Sequence, residues 1–192
     1  MFVLCSTETN AVDSEQKMLF TVEKSVSVES YFKLGSLGAS RLQSLRNLKT
    51  VAAPAEVLSY LSEIKTLADS ERKGLGFFSE GALKDAIERE KIIVLVDQTT
   101  AAEIFVGYVL HSGIYPNAKI QQIATVAEYR KRGVGSALIR ALVSYLERLG
   151  FWTLRADVAG DLVPALAFYK KNGFLPIKDK RGGSSRNRNI II

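Results

Sequence analysis

One cysteine and one histidine in 192 residues leave little room for redox or soft-ligand chemistry. Cys5 has no second thiol to pair with, so an intrachain disulfide is excluded, and a reducing, cytoplasmic location is expected. With His111 as the single imidazole, a structural zinc site of thiolates and imidazoles is excluded too, and no metal is expected. No apolar run approaches the roughly 18 residues a bilayer span requires, so no membrane partner is expected. Residues 1–5 are apolar but lack a basic start and a long enough apolar stretch for a secretion signal. Internal repeats and low-complexity tracts are missing as well.

What is present suffices for one good core, since 47% of the residues are apolar. The formal charge of +6 is unevenly placed. Beyond Phe168, seven cations stand against Asp179 alone, so the rest of the chain balances to zero. Such a basic edge attracts an acidic substrate, a phosphorylated cofactor, or an RNA backbone through Arg181, Arg186 and Arg188. No aromatic residue interleaves these cations, so they offer no platform for base stacking. The bland alternative is a solvated loop around residues 181–186.

The most informative stretch is 129–137, Tyr-Arg-Lys-Arg-Gly-Val-Gly-Ser-Ala. Three cations run into two glycines, and a helical pattern follows: Val134, Leu138, Ala141, Leu142, Tyr145, Leu146 and Leu149, stopped by Gly150. The first turn of a helix has N–H groups without intrahelical partners, and its dipole favours negative charge. Without a Cβ at Gly133 and Gly135, an anion can approach the main chain. Arg130, Lys131 and Arg132 add charge-assisted contacts. The pattern predicts a pyrophosphate cradle. A Walker loop would need Gly-Lys-Ser/Thr after a longer glycine loop, which is missing. A dinucleotide fingerprint would need a small residue at Leu138 and glycines directly after a strand, whereas a charged connector, 127–132, intervenes.

The surroundings narrow the choice. Residues 119–126 read as a strand, 151–158 as a second, and Pro164 opens a helix that Gly173 stops, within Pro-Ala-Leu-Ala-Phe-Tyr-Lys-Lys-Asn-Gly-Phe. Arg130, Gly133 and Gly135 match the Arg/Gln-x-x-Gly-x-Gly/Ala coenzyme A loop in register. With the Phe-Tyr…Gly-Phe signature, the chain resembles the GCN5-related N-acetyltransferases (GNAT) over about residues 90–178. It departs from the family pattern at Leu162, where Asn is frequent (Asp161 stands beside it), at Ala127 in place of proline, and at Thr125 in place of valine.

The resemblance implies an α/β fold: a mixed central sheet with splayed parallel strands and helices on both faces. It implies acetyl-CoA as cosubstrate and direct attack of a primary amine on the thioester. The main chain around Ile123, Ala124 and Thr125 would bind the acetyl and pantetheine groups between strands 119–126 and 152–158. A main-chain N–H there would stabilise the developing oxyanion. Arg130, Lys131, Arg132, Gly133, Val134, Gly135 and Ser136 would hold the pyrophosphate. Tyr169 matches the tyrosine that protonates the departing thiolate; its alternative is packing of helix on sheet, as for Phe168. The general base stays open among Glu128, Asp157, Asp161 and His111, or solvent. The acceptor is a small-molecule or protein amine, or the amine of an aminoacyl-tRNA held by the basic edge. Two further alternatives remain: a non-catalytic member that binds coenzyme A, and a nucleic-acid binder without acyl chemistry. A homodimer is compatible with all of them.

Elsewhere the pattern is coarser. Residues 1–50 form a segment of uncertain structure ahead of an acetyltransferase unit, 51–192. Within 17–28 a strand is predicted, and Leu42, Leu45 and Leu48 suit one side of a short helix. Pro54 opens a helix with Val57, Leu58, Leu61, Ile64 and Leu67 on one face, and Ser79-Glu80 opens another. Residues 91–97 read as a buried strand, paired as a hairpin with 103–110, which His111 would follow. Residues 187–192 read as a last strand.

Overall fold

The computed structural model describes residues 18–21, 47–176, 179–180 and 190–191. Cys5, Arg181, Arg186 and Arg188, and most of the segment 1–50, lie outside the described residues. The elements, in chain order, are β1 (Met18–Thr21), β2 (Leu48–Val51), α1 (Pro54–Leu58), α2 (Leu61–Ser70), α3 (Arg72–Leu75), α4 (Glu80–Glu88), β3 (Ile92–Asp97), β4 (Ile104–Ile114) and β5 (Asn117–Thr125). A 3-10 turn, Ala127–Tyr129, leads to α5 (Val134–Arg148), β6 (Thr153–Ala156), β7 (Val158–Ala159), α6 (Val163–Lys171), β8 (Leu175–Pro176), β9 (Asp179–Lys180) and β10 (Ile190–Ile191).

Seven strands form one sheet in the order β2-β3-β4-β5-β6-β1-β8, and β7-β10-β9 form a second. Every pairing in the larger sheet is antiparallel except β5 with β6. Strand β3 shows why helices cover both faces of this sheet. All five residues from Ile92 to Val96 are buried, with Ile93 and Leu95 in the core under α5 and α6. Ile92, Val94 and Val96 pack into a separate core under α1, α2 and α4. A strand covered on both faces reads as a continuous apolar run, as this one does.

Three sequence expectations are corrected. Leu48 lies in β2, antiparallel to β3 opposite Asp97, and not on a helix. The helix from Pro54 breaks at Ser59-Tyr60, where the Ser59 Oγ donates to the Glu56 carbonyl at 2.7 Å. A Ser hydroxyl that bonds back to the local main chain competes with helix propagation, and Leu58 turns outward, 40% exposed. His111 does not follow the hairpin strand but lies within β4, which continues to Ile114 and forms a second hairpin with β5. The start expected at Ser79-Glu80 agrees with the sequence: Ser79 Oγ accepts from Ala82 N–H at 3.2 Å and so caps α4.

Candidate active site

Strands β5 and β6 run parallel from the pair Asn117–Thr153 to the pair Ile120–Ala156, and there the pairing ends. Beyond it β5 continues to Thr125 beside β4, while the chain after β6 passes Asp157 into β7, which pairs with β10 in the other sheet. The two strands part into a cleft of about 480 Å³. The bulge at Gln121 marks the fork, since Leu110 of β4 opposes Gln122 while His111 opposes Ile120. One inserted residue shifts the facing of all that follow: Ala118 and Ile120 face the α5 core, whereas Gln122 and Ala124 are buried toward α2 and α3.

The ladder phase sets which main-chain groups the cleft receives. Val126 N–H donates to the Val106 carbonyl at 3.0 Å. In an antiparallel ladder, alternate residues bond to the neighbour and the rest point away. Ala124, opposite Tyr108, therefore spends its amide and carbonyl on β4, whereas Ile123 and Thr125 turn theirs toward the cleft. The Thr125 carbonyl accepts from Arg130 Nε at 3.2 Å, as this phase requires.

At the end of β5 the cleft opens onto the start of α5. Gly133 is its N-cap at φ 92°, a left-handed conformation that favours glycine. No side chain caps the helix and no acidic residue lies in its first turn. The first intrahelical bond runs from Ala137 N–H to the Gly133 carbonyl at 3.0 Å, so the amides of Val134, Gly135 and Ser136 have no helical partner. Gly135 has a different reason: a Cβ there would sit 3.0 Å from the Phe168 ring, so this glycine lets α6 close on α5.

Ile123, Ala124, Thr125, Arg130, Lys131, Gly133, Gly135, Ser136 and Tyr169 all line the cleft. Two residues of the expected set do not. Val134 is 2% exposed and belongs to the core, and the Arg132 guanidinium lies over the Tyr129 ring, 5.5 Å from its centroid. Arg130 forms an ion pair with Glu71, at the junction of α2 and α3. Tyr169 is buried against Phe168 and Phe174, with ring centroids 5.2 and 5.0 Å away. Burial pushes its phenol above the ordinary value near 10, which keeps it protonated at neutral pH.

Among the candidate bases, Asp157 lines the cleft at the fork. Its Oδ2 pairs with Lys119 Nζ at 2.5 Å, while the buried Oδ1 has no hydrogen-bond partner. Glu128 is exposed on the 3-10 turn, and neither Asp161 nor His111 lines the cleft. Sequence reasoning missed the wall formed by Glu71, Gly74 and Leu75. That wall is tied to β5 through Gln122, whose amide donates to the Leu75 carbonyl at 3.1 Å and accepts from Tyr108 OH at 2.8 Å. No short-range signal marks a contact between residues 47 positions apart. Among the described residues, no cluster of three or more metal-ligating side chains occurs, and no helix is long and apolar enough to cross a membrane.

Known proteins share this fold. Ard1 from Thermoplasma volcanium is similar over 76% of this chain and 99% of its own, with 21% identity and a TM-score of 0.62. The NatC complex bound to Gag peptide and CoA matches over 75% of this chain and 94% of the chain compared, with 15% identity and a TM-score of 0.64. The PaiA N-acetyltransferase from Thermoplasma acidophilum, in complex with coenzyme A, matches over 74% and 96%, with 13% identity and a TM-score of 0.54. At these identities the likeness is one of fold. No curated protein sequence matches the chain. The model of the acetyltransferase (GNAT) family matches residues 58–174, more than half of the sequence and all of the cleft just described. The chain belongs to the acetyltransferase (GNAT) family and is an acetyl-CoA-dependent N-acetyltransferase.

Proposed function

We propose that this cleft carries acetyl transfer to a primary amine by direct attack, with both substrates bound at once. The observation that supports it most is the continuity of one strand's cleft-facing main chain, at Ile123 and Thr125, with the uncapped amides of α5. An extended arm bearing amides and a diphosphate fits that sequence of donors and acceptors. Coenzyme A in the structures of PaiA and the NatC complex agrees with the same assignment. Bound there, acetyl-CoA would supply an activated acetyl group as a thioester.

The chain's own residues then divide the work. Ile123 and Thr125 orient the pantetheine arm through their main chain, while Ala124 only completes the ladder. The amides of Gly133, Val134, Gly135 and Ser136, together with Arg130 and Lys131, hold the diphosphate; Val134 contributes its main chain alone. Arg132 shapes the loop from outside the cleft. Tyr169 donates its proton to the departing sulfur, and the surrounding rings exclude water from that transfer. The same desolvation that weakens the phenol as an acid also disfavours a naked thiolate beside it. Asp157 lines the cleft at the fork of the two strands, which makes its carboxylate our choice of base.

The acceptor is a primary amine on a small molecule or a protein. The Gag peptide in the NatC complex favours the second kind. Acetylation of an aminoacyl-tRNA through Arg181, Arg186 and Arg188 rests on the charge distribution alone, as the cytoplasmic location rests on cysteine content. The active unit in this reading is 51–192, with β1 and β2 of the preceding segment completing its sheet. Release of thiol from acetyl-CoA across a panel of amines and peptides tests the assignment, with calorimetry on coenzyme A beside it. A rate above that of Tyr169→Phe on at least one amine is expected. Cofactor binding without turnover on any amine would favour a non-catalytic binding protein.

A further inference from the structure

The loop between β5 and α5 is fixed from outside the cleft by a residue of a different hairpin. Asp97 ends β3, and its carboxylate works in two directions. Its Oδ1 accepts from Thr99 N–H at 2.8 Å and from Thr99 Oγ1 at 2.5 Å, which closes the turn toward β4. Thr99 Oγ1 in turn accepts from Asn47 Nδ2 at 3.1 Å, ahead of β2. Asp97 Oδ2 reaches across to the loop and accepts from Tyr129 OH at 3.1 Å. The Tyr129 ring then carries the Arg132 guanidinium on its face.

This stack brackets a backbone that would not hold its shape alone. Lys131 has φ 59°, a left-handed conformation that costs a non-glycine residue about 1 kcal/mol or more, and Gly133 follows at φ 92°. Tyr129, two residues before Lys131, bonds to Asp97, and Arg132, the residue after Lys131, stacks on the Tyr129 ring. Successive amides in such a conformation form an anion-binding concavity, and their aim depends on keeping Lys131 where it is.

We propose that Asp97 is a positioning residue for coenzyme binding: through Tyr129, and Arg132 stacked on it, it preorganises the pyrophosphate loop without touching the cofactor. The inference rests on the acetyl-CoA reading given above. Preorganisation shows as affinity, because ordering that the free protein has already undergone is not charged to binding.

The experiment is calorimetry with coenzyme A on wild type, Asp97→Ala, Tyr129→Phe, the double variant and Asp97→Asn. Each single variant is expected to bind about tenfold more weakly, which is about 1.4 kcal/mol. The double variant should be little weaker than either, because the two changes cut the same connection. Asp97→Asn keeps an acceptor oxygen and should restore most of the affinity. For Asp97→Ala the loss should appear in KM for acetyl-CoA, with kcat at saturation within about twofold of wild type. Tyr129→Phe removes one partly exposed oxygen and keeps the test alive should Asp97→Ala fail to fold. Unchanged affinity in a folded variant, or additive losses in the double variant, would overturn the inference while leaving the cofactor assignment intact. No affinity in the wild type would overturn both.

Discussion

The two halves of β5 make an instructive contrast. From Asn117 to Ile120 the strand is paired on both sides, by β4 and by β6, and its inward residues Ala118 and Ile120 are buried. From Gln122 to Thr125 it is paired on one side only, and cleft replaces the missing neighbour. Composition barely separates the halves. The difference lies in the partner strand, which departs after Ala156. A sheet interior with an unpaired flank would be a defect in a structural strand; in the function proposed above it is the binding surface. The first half is predicted to carry stability and the second half binding and chemistry.

Variants that respect this division should separate the two quantities. The largest effect is expected at Tyr169: Tyr169→Phe should lower kcat by about 10²-fold or more, the range of a lost general acid. Affinity for coenzyme A should stay near wild type, and the phenol, raised by burial, should contribute no inflection to the pH–rate profile below about pH 10. Leu154 faces the paired half, opposite Ala118, and is 2% exposed. Leu154→Ala should cost about 3 kcal/mol in chemical unfolding and leave the KM for acetyl-CoA unchanged. A large rise in KM with intact stability would erase the distinction between the halves.

Gly133→Val places a β-branched residue at a left-handed φ, so the uncapped turn must rearrange. Coenzyme A affinity should fall about 30-fold, roughly 2 kcal/mol, with little change in unfolding midpoint. The smallest predicted effect concerns His111, at the bulge on the β4 side. Burial, with Lys91 adding to it, pushes its pKa down to about 4, and its Nε2 is buried without a partner. Because the unfolded imidazole titrates near 6.5, the unfolded state binds the extra proton first. Stability should be nearly complete above pH 6.5 and fall as pH drops toward 4, by on the order of 1 kcal/mol at pH 5.5. Unfolding curves for wild type and His111→Gln over this window check it. An equal slope in both would assign the pH dependence elsewhere.

Much of this was legible beforehand, for identifiable reasons. The α5 start, the β3 run and the Ser79 cap depend on residues within a turn of one another, so their spacing carries the information. Leu48 was misplaced because a helical spacing of three leucines is also compatible with a strand whose partner, Asp97, lies 49 positions away. The break at Ser59 escaped because its apolar face continues unbroken through Leu58 and Leu61. Among the site residues, the sequence explains Gly133 and Gly135 alike by the missing Cβ, whereas the left-handed φ of Gly133 is seen only in the structure. The need at Gly135, by contrast, came from Phe168, a contact between two helices. Arg132 was assigned by its charge to the anion, yet a tyrosine three positions back holds it.

By itself the sequence determined the local pieces: a glycine-led helix with exposed amides, a basic loop before it, and the tyrosine of the following helix, all set by φ requirements and periodicity. Only the tertiary structure decided where β5 loses its neighbour and how the Gln121 bulge divides its faces. It alone brought Glu71 to Arg130, Leu75 to Gln122 and Asp97 to Tyr129. Those pairs stand 59, 47 and 32 positions apart. Contacts at that range are fixed by packing of the whole sheet, and no local pattern of residues encodes them.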